Sequence, residues 1–427
     1  LAKAGQWTPK LEERYKLLGI TDPFEPQAFP VRLWDVFGQA GHPVRATVEG
    51  MGSLLLSRLL DLNETQTGIL AIVFKLAQEK NWPLIDLKDL QSLLKEVYEH
   101  SSEYSAQYGN ITKQSVGAIQ RSLLVLEEEG ADQFFGEPAL DLNDFMQLDA
   151  SGRGYINILS ATKLFHSPKL YSTFLIWMLS RLFETLPEVG DPEKPKLVFF
   201  FDEAHLLFKD ASKLFLEKVE QVVRLIRSKG VGIYFITQNP QDLPESVLAQ
   251  LGNRVQHALR AYTPKEMKAI KVAAQSFRPN PNFDTETVIT ELGTGEALVS
   301  FLNEKGQPSV VERSYILSPQ SSFDLLNESE QLALITTSPF HQKYATPIDR
   351  ESAYEKLAEK ANKESQEEER KEAAKEQAAA QKASQKGSPG RPRKSSLEKA
   401  KDSFLSSLFR TIAREIAKLI MGSFKRK

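Results

Sequence analysis

The sequence has 427 residues, which is long enough for two or three domains. Its 41% hydrophobic and 26% charged residues are typical of a globular protein, and its lack of cysteine excludes disulfides and thiolate metal sites. No apolar run reaches transmembrane length, so we expect no stable membrane insertion and a cytoplasmic location. The net charge of −2 means that any nucleic-acid-binding surface is local. Because the first residue is Leu1 and not Met, we expect a piece of a longer protein.

The first part of the chain predicts strands followed by helices. Alternating apolar residues from Val31 to Phe37, ended by Gly38, predict a strand, and Val44–Val48 is a second short candidate. Between Leu54 and Leu126, large aliphatic residues recur at helical spacing. This pattern predicts an all-helical insertion of about four helices in an α/β body.

The second part alternates apolar strands with helices. The predicted elements are a strand at Gly154–Leu159, a helix at Leu170–Phe183, a strand at Leu197–Phe201, a helix at Ser212–Arg227 and a strand at Val231–Ile236. They are followed by a strand at Gly252–Arg260, a helix at Pro264–Ala274 and a strand at Glu296–Leu302 with a turn leading to Val310 and Val311. Strands and helices in this order are typical of right-handed parallel crossovers, so we predict an α/β fold with a mostly parallel sheet.

The last part of the chain has a different composition. Residues 351–386 are mainly Glu, Lys, Ala and Gln, which predicts either a solvated helix or disorder. Residues 387–394 predict a flexible basic linker. Within it, Gly390-Arg391-Pro392 resembles an AT-hook core that could enter a DNA minor groove, although a solvated linker is favoured. Residues 395–427 predict a basic amphipathic helix, opened by a capping box. It could lie on a membrane surface, but its wide apolar stripe favours packing within the chain or across subunits.

Two carboxylates follow the most apolar strand. Leu197–Phe201 is an unbroken apolar run, which predicts a strand buried on both faces, and Asp202 and Glu203 come directly after it. Ligands of open α/β sheets bind at the carboxyl ends of the strands. There Asp202 could hold Mg²⁺, directly or through water, and Glu203 could activate a water molecule. For the two acids alone, a solvated turn is an equally good interpretation.

Two further side chains are placed by this strand pattern. Gln238 ends the next apolar strand, so we expect it beside the Asp202–Glu203 turn, where it could sense a phosphate or hold the attacking water. Arg227 ends the helix between the two strands and lies at the opposite edge, from which it could reach a neighbouring subunit's nucleotide. The alternatives are a loop glutamine and a solvated arginine favoured by the helix dipole.

Four motifs carry a resemblance to a known family. They are Phe199–His205 (FFFDEAH), Arg224–Gly232 (RLIRSKGVG), Thr237–Pro244 (TQNPQDLP) and Leu251–Arg260 (LGNRVQHALR). With them the chain resembles the HerA-like, FtsK/VirB4-related hexameric P-loop ATPases, in particular the bacterial HerA-type helicase C-terminal family. The resemblance implies a RecA-like fold, a Walker B strand ending in Asp202, and the cofactors ATP and Mg²⁺. It also implies a homo-oligomeric ring, a hexamer, that translocates on or unwinds DNA, with a nuclease or another accessory protein as a candidate partner.

The resemblance also predicts domain boundaries. Residues 1–53 would be the remainder of the N-terminal part of the ATPase core, 54–130 the helical insertion, 131–320 the ATPase core with the Walker B and sensor strands, 321–394 a charged and partly disordered linker, and 395–427 the basic amphipathic helix. The sequence contains no GxxxxGKS or GxxxxGKT phosphate loop. In the family this loop precedes the strand at 31–37, so we expect that it was cut off or lost. The alternative function is therefore a non-hydrolysing scaffold that binds DNA or partner subunits.

Three other features were weighed. Asp149–Gly154 starts like a calcium loop, but Arg153 occupies a ligand position. His205 and His257 have no partners at metal-ligand spacing, so we expect them to be packed or hydrogen-bonded. If Arg227 does not act in trans, Arg254 or Arg260 is the next candidate.

Overall fold

The computed structural model describes residues 1–190, 192–208 and 213–385. The chain divides into two compact units, Leu1–Glu359 and Lys360–Lys427. The predicted linker at 387–394, its AT-hook-like Gly390-Arg391-Pro392 and the amphipathic helix at 395–427 lie outside the described residues. So does Ser212, the predicted start of a helix.

The described strands form three sheets. The strands are β1 (Val31–Asp35), β2 (His42–Pro43), β3 (Ile156–Ser160), β4 (Leu197–Phe201), β5 (Val231–Phe235), β6 (Arg254–Gln256), β7 (Glu296–Ser300) and β8 (Glu312–Tyr315). The first sheet has the order β2-β1-β3 and the second pairs β4 with β5, all in parallel. The third has the antiparallel order β6-β7-β8. The predicted α/β class with mostly parallel strands is therefore confirmed.

Most of the remaining regular structure consists of α-helices. They are α1 (Pro9–Leu18), α2 (Val48–Leu59), α3 (Glu64–Lys80), α4 (Leu87–Glu99), α5 (Ser101–Tyr108), α6 (Lys113–Glu128), α7 (Ala131–Phe134), α8 (Pro168–Thr185), α9 (His205–Phe208), α10 (Lys213–Leu225), α11 (Glu245–Leu248), α12 (Pro264–Gln275), α13 (Thr285–Glu291), α14 (Glu328–Thr336), α15 (Phe340–Tyr344) and α16 (Ala353–Gln385). A 3₁₀ turn, Ile226–Lys229, follows α10. Among the described residues, no helix has both the length and the apolar character needed to cross a bilayer.

The predicted helical region consists of five helices, α2 to α6, where we expected about four. Asn63 and Asp86 form capping boxes at the starts of α3 and α4, which fixes where these helices begin. Buried leucines of the region, such as Leu70 and Leu90, belong to the same apolar core as Trp34 of β1. The helices therefore share one apolar core with the first sheet, and the boundaries 54–130 stay a prediction.

The predicted strand at Val44–Val48 is wrong. On the edge of β1 away from β3, the paired strand is β2 (His42–Pro43), and Ala46 makes only a single bridge, to Phe135. The chain turns helical at the end of the predicted strand because the Thr47 hydroxyl accepts a hydrogen bond from the Gly50 amide at 2.9 Å. A threonine cap of this kind starts α2 at a residue that β-propensity alone assigns to a strand.

A second, smaller core lies in the part of the chain that contains the antiparallel sheet. Its buried residues come from α12, α13, β7 and their connections: Ile270, Ala273, Phe277, Val288, Ile289, Leu292, Leu298 and Val311. Helix α1 is fastened to the same region, because the Arg14 guanidinium donates to the carbonyl groups of Gly295 and Ile316, both at 2.9 Å. We call this part, residues 254–315, the small module.

For residues 351–386 the composition predicts either a solvated helix or disorder, and the structure shows a helix, α16. It extends as far as Gln385. The Asp89 carboxylate of α4 accepts hydrogen bonds from the Ser352 hydroxyl and, at 2.9 Å, from the Tyr354 amide, which fixes the start of α16. Farther along, Lys360 and Glu364 form an exposed pair at 3.6 Å. Opposite charges spaced by four residues support a solvated helix that buries little surface.

The two faces of the β4–β5 sheet differ. Phe201 and Phe235 stack at 5.5 Å on the face that also contacts Leu175 of α8 and Val219 of α10. On the other face, the rings of Phe200 and Tyr234 stack at 4.7 Å and are 64% and 56% exposed. Parallel strands are usually covered on both faces. The predicted burial of Leu197–Phe201 on both faces is therefore wrong, because no described element covers the face that carries Phe200.

Candidate functional site

The carboxyl ends of β4 and β5 meet at one edge of their sheet. Phe201 is paired with Phe235 in the parallel register. The pairing continues beyond the strands, since the Ile236 amide donates to the Phe201 carbonyl at 2.9 Å and the Ala204 amide donates to the Ile236 carbonyl at 2.8 Å. The turn after β4 is therefore fastened by backbone bonds to the extension of β5.

The structure brings Glu203 and Gln238 together at this edge. The Gln238 side-chain amide donates to Glu203 Oε1 at 3.4 Å. The two residues are far apart in sequence and meet because each follows the carboxyl end of one of two paired parallel strands. This is the arrangement that the sequence predicts from two apolar runs and the polar residues after them.

Asp202 lies at the same edge with an exposed side chain. Its Oδ1 accepts the Glu203 amide at 3.0 Å, which holds the first turn after β4. Among the described residues, no group of three His, Asp or Glu side chains is arranged around a common metal position. One exposed carboxylate still fits Mg²⁺, because this ion keeps several waters and is commonly held by one or two carboxylates and the phosphates of its nucleotide.

Glu203 has an uncommon backbone conformation. Its φ of +47° lies in the left-handed region, which few residues other than glycine adopt. Its second carboxylate oxygen, Oε2, lies 3.3 Å from Nδ1 of His205. Both atoms are buried, and neither makes a hydrogen bond of good geometry. The sequence predicts that His205 is packed or hydrogen-bonded, but no pattern in it indicates Glu203 as the neighbour.

The loop after β5 is held by its own side chains. The Thr237 hydroxyl donates to Asp242 Oδ2 at 3.2 Å, and Asn239 Oδ1 accepts the Gln241 amide at 3.0 Å. The Asn239 bond caps a short 3₁₀ turn at Pro240–Asp242. These contacts give the residues around Gln238 a structural role and fix the backbone that presents its side chain.

Arg227 lies at the opposite edge of the sheet. It is exposed and belongs to the 3₁₀ turn that directly precedes β5, whose first residue, Val231, pairs with Leu197 at the start of β4. A five-residue strand at about 3.3 Å per residue separates the two edges by roughly 16 Å. Within one subunit, Arg227 is therefore remote from Glu203, as the sequence predicts.

Lys229, two residues beyond Arg227, has a structural role that the sequence does not predict. It is only 7% exposed, and its ammonium donates to the Leu186 carbonyl at 2.7 Å and pairs with Glu188 at 3.2 Å. The pKa of Glu188 is lowered by the hydrogen bond from Ser228 and next by that from Lys229. These bonds fasten the turn before β5 to the segment after α8.

The arginines named as next candidates are used by the small module. Arg254 Nη1 donates to the carbonyl of Ser276, the residue that caps the end of α12, at 2.7 Å. Arg260 Nη2 donates in the same way to the carbonyl of Leu292 at the end of α13, at 2.9 Å. A guanidinium at a helix carboxyl end satisfies carbonyl groups that have no partner within the helix. Both side chains thus stabilise the module in which they lie.

The remaining polar features are explained by local contacts. Asp149 Oδ2 pairs with the Arg153 guanidinium at 3.0 Å, and Oδ1 accepts the Ser151 hydroxyl at 2.7 Å. These bonds, that from Ser151 first, lower the pKa of Asp149 to about 2. His257 Nδ1 lies 2.9 Å from the Glu296 carbonyl, so this histidine is hydrogen-bonded as expected.

The comparison with known families decides the affiliation of the chain. The model of the family described as helicase HerA-like C-terminal matches residues 1–427. The chain belongs to the helicase HerA-like C-terminal family. This confirms the resemblance seen in the four motifs.

The individual proteins and solved structures similar to this chain have low sequence identity to it. The chain is similar to the DNA double-strand break repair helicase HerA of Saccharolobus solfataricus, with 24% identity over 211 residues, 49% of this chain and 40% of that protein. The match thus spans less than half the length of this relative. Among solved structures, the chain is similar to the bacterial conjugative coupling protein TrwBdeltaN70, with 12% identity and a TM-score of 0.44 over 73% of this chain and 84% of that one. It is also similar to VirB4 of Thermoanaerobacter pseudethanolicus, with 16% identity and a TM-score of 0.41 over 76% and 81%.

Proposed function

We propose that the protein containing this chain is an ATP-dependent DNA translocase or helicase of the HerA type. Membership of the helicase HerA-like C-terminal family supports this proposal, as does similarity to a relative named as a DNA double-strand break repair helicase. The observation that carries it is the 3.4 Å contact between Gln238 and Glu203 at the carboxyl edge of two paired parallel strands. At this edge of an α/β sheet a bound phosphate would meet both side chains.

In this proposal, each side chain at the edge has one task. Bound Mg²⁺-ATP supplies the phosphoanhydride bond whose hydrolysis drives movement on DNA. Asp202 would hold the metal, directly or through a water. The Glu203 carboxylate would accept a proton from the attacking water. The Gln238 amide has two N–H groups, and while one donates to Glu203 the other could donate to a phosphate oxygen, which couples the base to the presence of phosphate.

The phosphate cradle has to come from elsewhere in this proposal, because the sequence of residues 1–427 contains no GxxxxGKS or GxxxxGKT loop. Backbone amides of such a loop and its lysine normally hold the phosphates. The second candidate function, a non-hydrolysing scaffold that binds DNA or partner subunits, needs no such loop. The two proposals differ in whether the protein that contains this chain hydrolyses ATP.

Further parts of the proposal concern assembly and location. We place Arg227 at the nucleotide of a neighbouring subunit in a closed homo-oligomeric ring, a hexamer, because within one subunit it lies at the opposite sheet edge from Glu203. DNA is the proposed substrate, a nuclease or another accessory protein the proposed partner, and the cytoplasm the proposed location.

The test compares ATP turnover of the natural full-length protein, with and without duplex DNA, in the wild type and in Glu203→Gln. We expect Glu203→Gln to lose on the order of a hundredfold or more in turnover and to retain ATP binding, because the change removes the base and keeps the shape. The matched control is Glu304→Gln, the same change at an exposed residue of the turn between β7 and β8. Unchanged turnover in Glu203→Gln would remove Glu203 from the mechanism. A wild type that hydrolyses no ATP in any condition would support the scaffold.

A further inference from the structure

The Glu203 carboxylate lies between two side chains, one at each oxygen. Gln238 donates to Oε1 at 3.4 Å, and His205 Nδ1 lies 3.3 Å from Oε2. The atoms Oε2 and Nδ1 are each shielded from solvent and lack a hydrogen bond of good geometry, although the two side chains are partly exposed. Buried polar atoms are rarely left unpaired. A small rotation of the ring, with the proton on Nδ1, would satisfy both atoms with one N–H···O bond.

The backbone around these residues favours this approach. Glu203 is held at a φ of +47°, and its carbonyl accepts the Leu206 amide at 2.9 Å as α9 begins. Between them, Ala204 is fully buried, and its amide donates to the Ile236 carbonyl. A left-handed backbone is strained for a residue other than glycine and persists where its surroundings fix it. Here it sets the directions of the Glu203 and His205 side chains from a turn that is bonded to the next strand.

We propose that His205 is a positioning residue that, together with Gln238, fixes the orientation of the Glu203 carboxylate. This inference rests on the proposed function, since orientation matters only if Glu203 activates water. A general base works when its lone pair points at the proton that it accepts, and a displacement of about 1 Å can cost a hundredfold in rate. With Oε2 held by His205 Nδ1–H, the carboxylate no longer rotates freely, and Oε1 keeps a lone pair for the water.

A first experiment tests the contact without ATP. In the 427-residue chain with ¹⁵N-labelled histidine, the ring nitrogens of His205 are observed by NMR and assigned through their loss in His205→Asn. We expect the proton on Nδ1 and a marked shift of the His205 signals in Glu203→Gln, with none in the control Glu304→Gln. If His205 instead carries its proton on Nε2 and its signals are the same in Glu203→Gln as in the wild type, the inference is overturned. This outcome does not depend on whether the protein hydrolyses ATP.

A second experiment tests the consequence for turnover in the full-length protein. Asparagine places an N–H near the position of Nδ1, and glutamine places one near Nε2. We therefore expect His205→Asn to keep kcat within about threefold, and His205→Gln and His205→Ala to lose about tenfold or more, with KM for ATP nearly unchanged. Equal effects of Asn and Gln would mean that the ring only fills space. Suppose that the wild type turns over ATP and Glu203→Gln does not. A His205→Ala variant with the kcat of the wild type would then overturn this inference and leave the proposed function standing.

Discussion

Basic residues within one family-like motif differ in role, and the motif does not show which of them are structural. In Arg224–Gly232, Arg227 is exposed while Lys229 is buried against Leu186 and Glu188. In Leu251–Arg260, Arg254 and Arg260 satisfy helix ends. A basic residue in such a motif is therefore assigned to function or to folding only after its burial and partners are known.

We predict that Lys229→Met destabilises the chain by roughly 1–3 kcal/mol, because methionine fills the space but leaves the Leu186 carbonyl without its donor. The measurement is urea-induced unfolding followed by tryptophan fluorescence. Lys305→Met, at an exposed turn residue, is the control and should unfold with the wild type. Equal midpoints for the two variants would mean that the buried ammonium contributes nothing to stability.

His42 is a buried histidine outside the candidate site. Its ring is fully shielded, packs edge-on against Trp34 at 5.5 Å, and has no hydrogen-bond partner on either nitrogen. Burial, with smaller effects from His341 and Arg32, lowers its pKa to about 4. In the folded state this histidine therefore stays neutral down to a pH at which an exposed histidine is already charged.

This shift predicts a pH dependence of stability with a definite sign. Below the ordinary histidine pKa of about 6.5 the unfolded chain takes up a proton that folded His42 does not, so stability falls as the pH drops from 6.5 to about 4 and then levels off. Between pH 7 and pH 5 the loss is about 2 kcal/mol. His42→Leu should lose that much less than the wild type in urea unfolding at the two pH values. His166→Leu, at an exposed histidine, should follow the wild type, and equal losses in all three would contradict the assignment.

At the scale of whole elements, a strand is predictable where its residues have a clear apolar pattern. The sequence predicts Leu197–Phe201 with its observed bounds because Pro195 precedes this apolar run and two acids follow it. The contact between Gln238 and Glu203 followed from the same reasoning. The predicted strand Val44–Val48 is wrong because one hydrogen bond, donated by the Gly50 amide to the Thr47 hydroxyl, outweighs β-propensity. The contact of His205 with Glu203 depends on a left-handed backbone, which no residue type at position 203 indicates.

The small module has its own core and its own use of polar residues, so its stability should be separable from that of the β4–β5 sheet. We predict that Arg254→Met speeds amide hydrogen exchange in α12, α13 and β7 and leaves β4 and β5 unchanged, because it removes the donor at the end of α12. The control is Lys265→Met, at an exposed residue of α12. Faster exchange in both sheets at once would show that the two cores open together.

At the scale of the whole molecule, the proposed function makes the edge with Asp202 and Glu203 the metal-side half of a nucleotide site. We predict that the 427-residue chain alone binds ATP weakly or not at all, because it has the acids on the metal side and no phosphate loop in its sequence. The measurement is calorimetric titration with Mg²⁺-ATP. The matched comparison is the full-length natural protein under the same conditions. Micromolar binding by the 427-residue chain would require a phosphate site other than a GxxxxGKS or GxxxxGKT loop.

The position of Arg227 leads to a prediction about the proposed ring. An edge-to-edge separation of roughly 16 Å prevents it from reaching a phosphate beside Glu203 in its own subunit, so only a head-to-tail neighbour would bring the two together. We therefore predict that Arg227→Ala abolishes turnover in the full-length protein and that its subunits complement those of Glu203→Gln. An arginine supplied in trans is worth about a thousandfold or more in rate where it has been isolated.

The measurement is ATP turnover after the two inactive variants are mixed at different ratios. An interface works when an Arg227→Ala subunit contributes its intact Glu203 and a Glu203→Gln neighbour contributes its intact Arg227. With random assembly at equal amounts, about a quarter of the interfaces meet this condition, so activity should peak there and fall on both sides. If Arg227 acted within its own subunit, no mixed interface would hold both groups, and every mixture would stay inactive. Inactive mixtures in which mixed rings are shown to form would therefore contradict the trans assignment, and the search would return to Arg254 and Arg260 despite their bonds to helix ends.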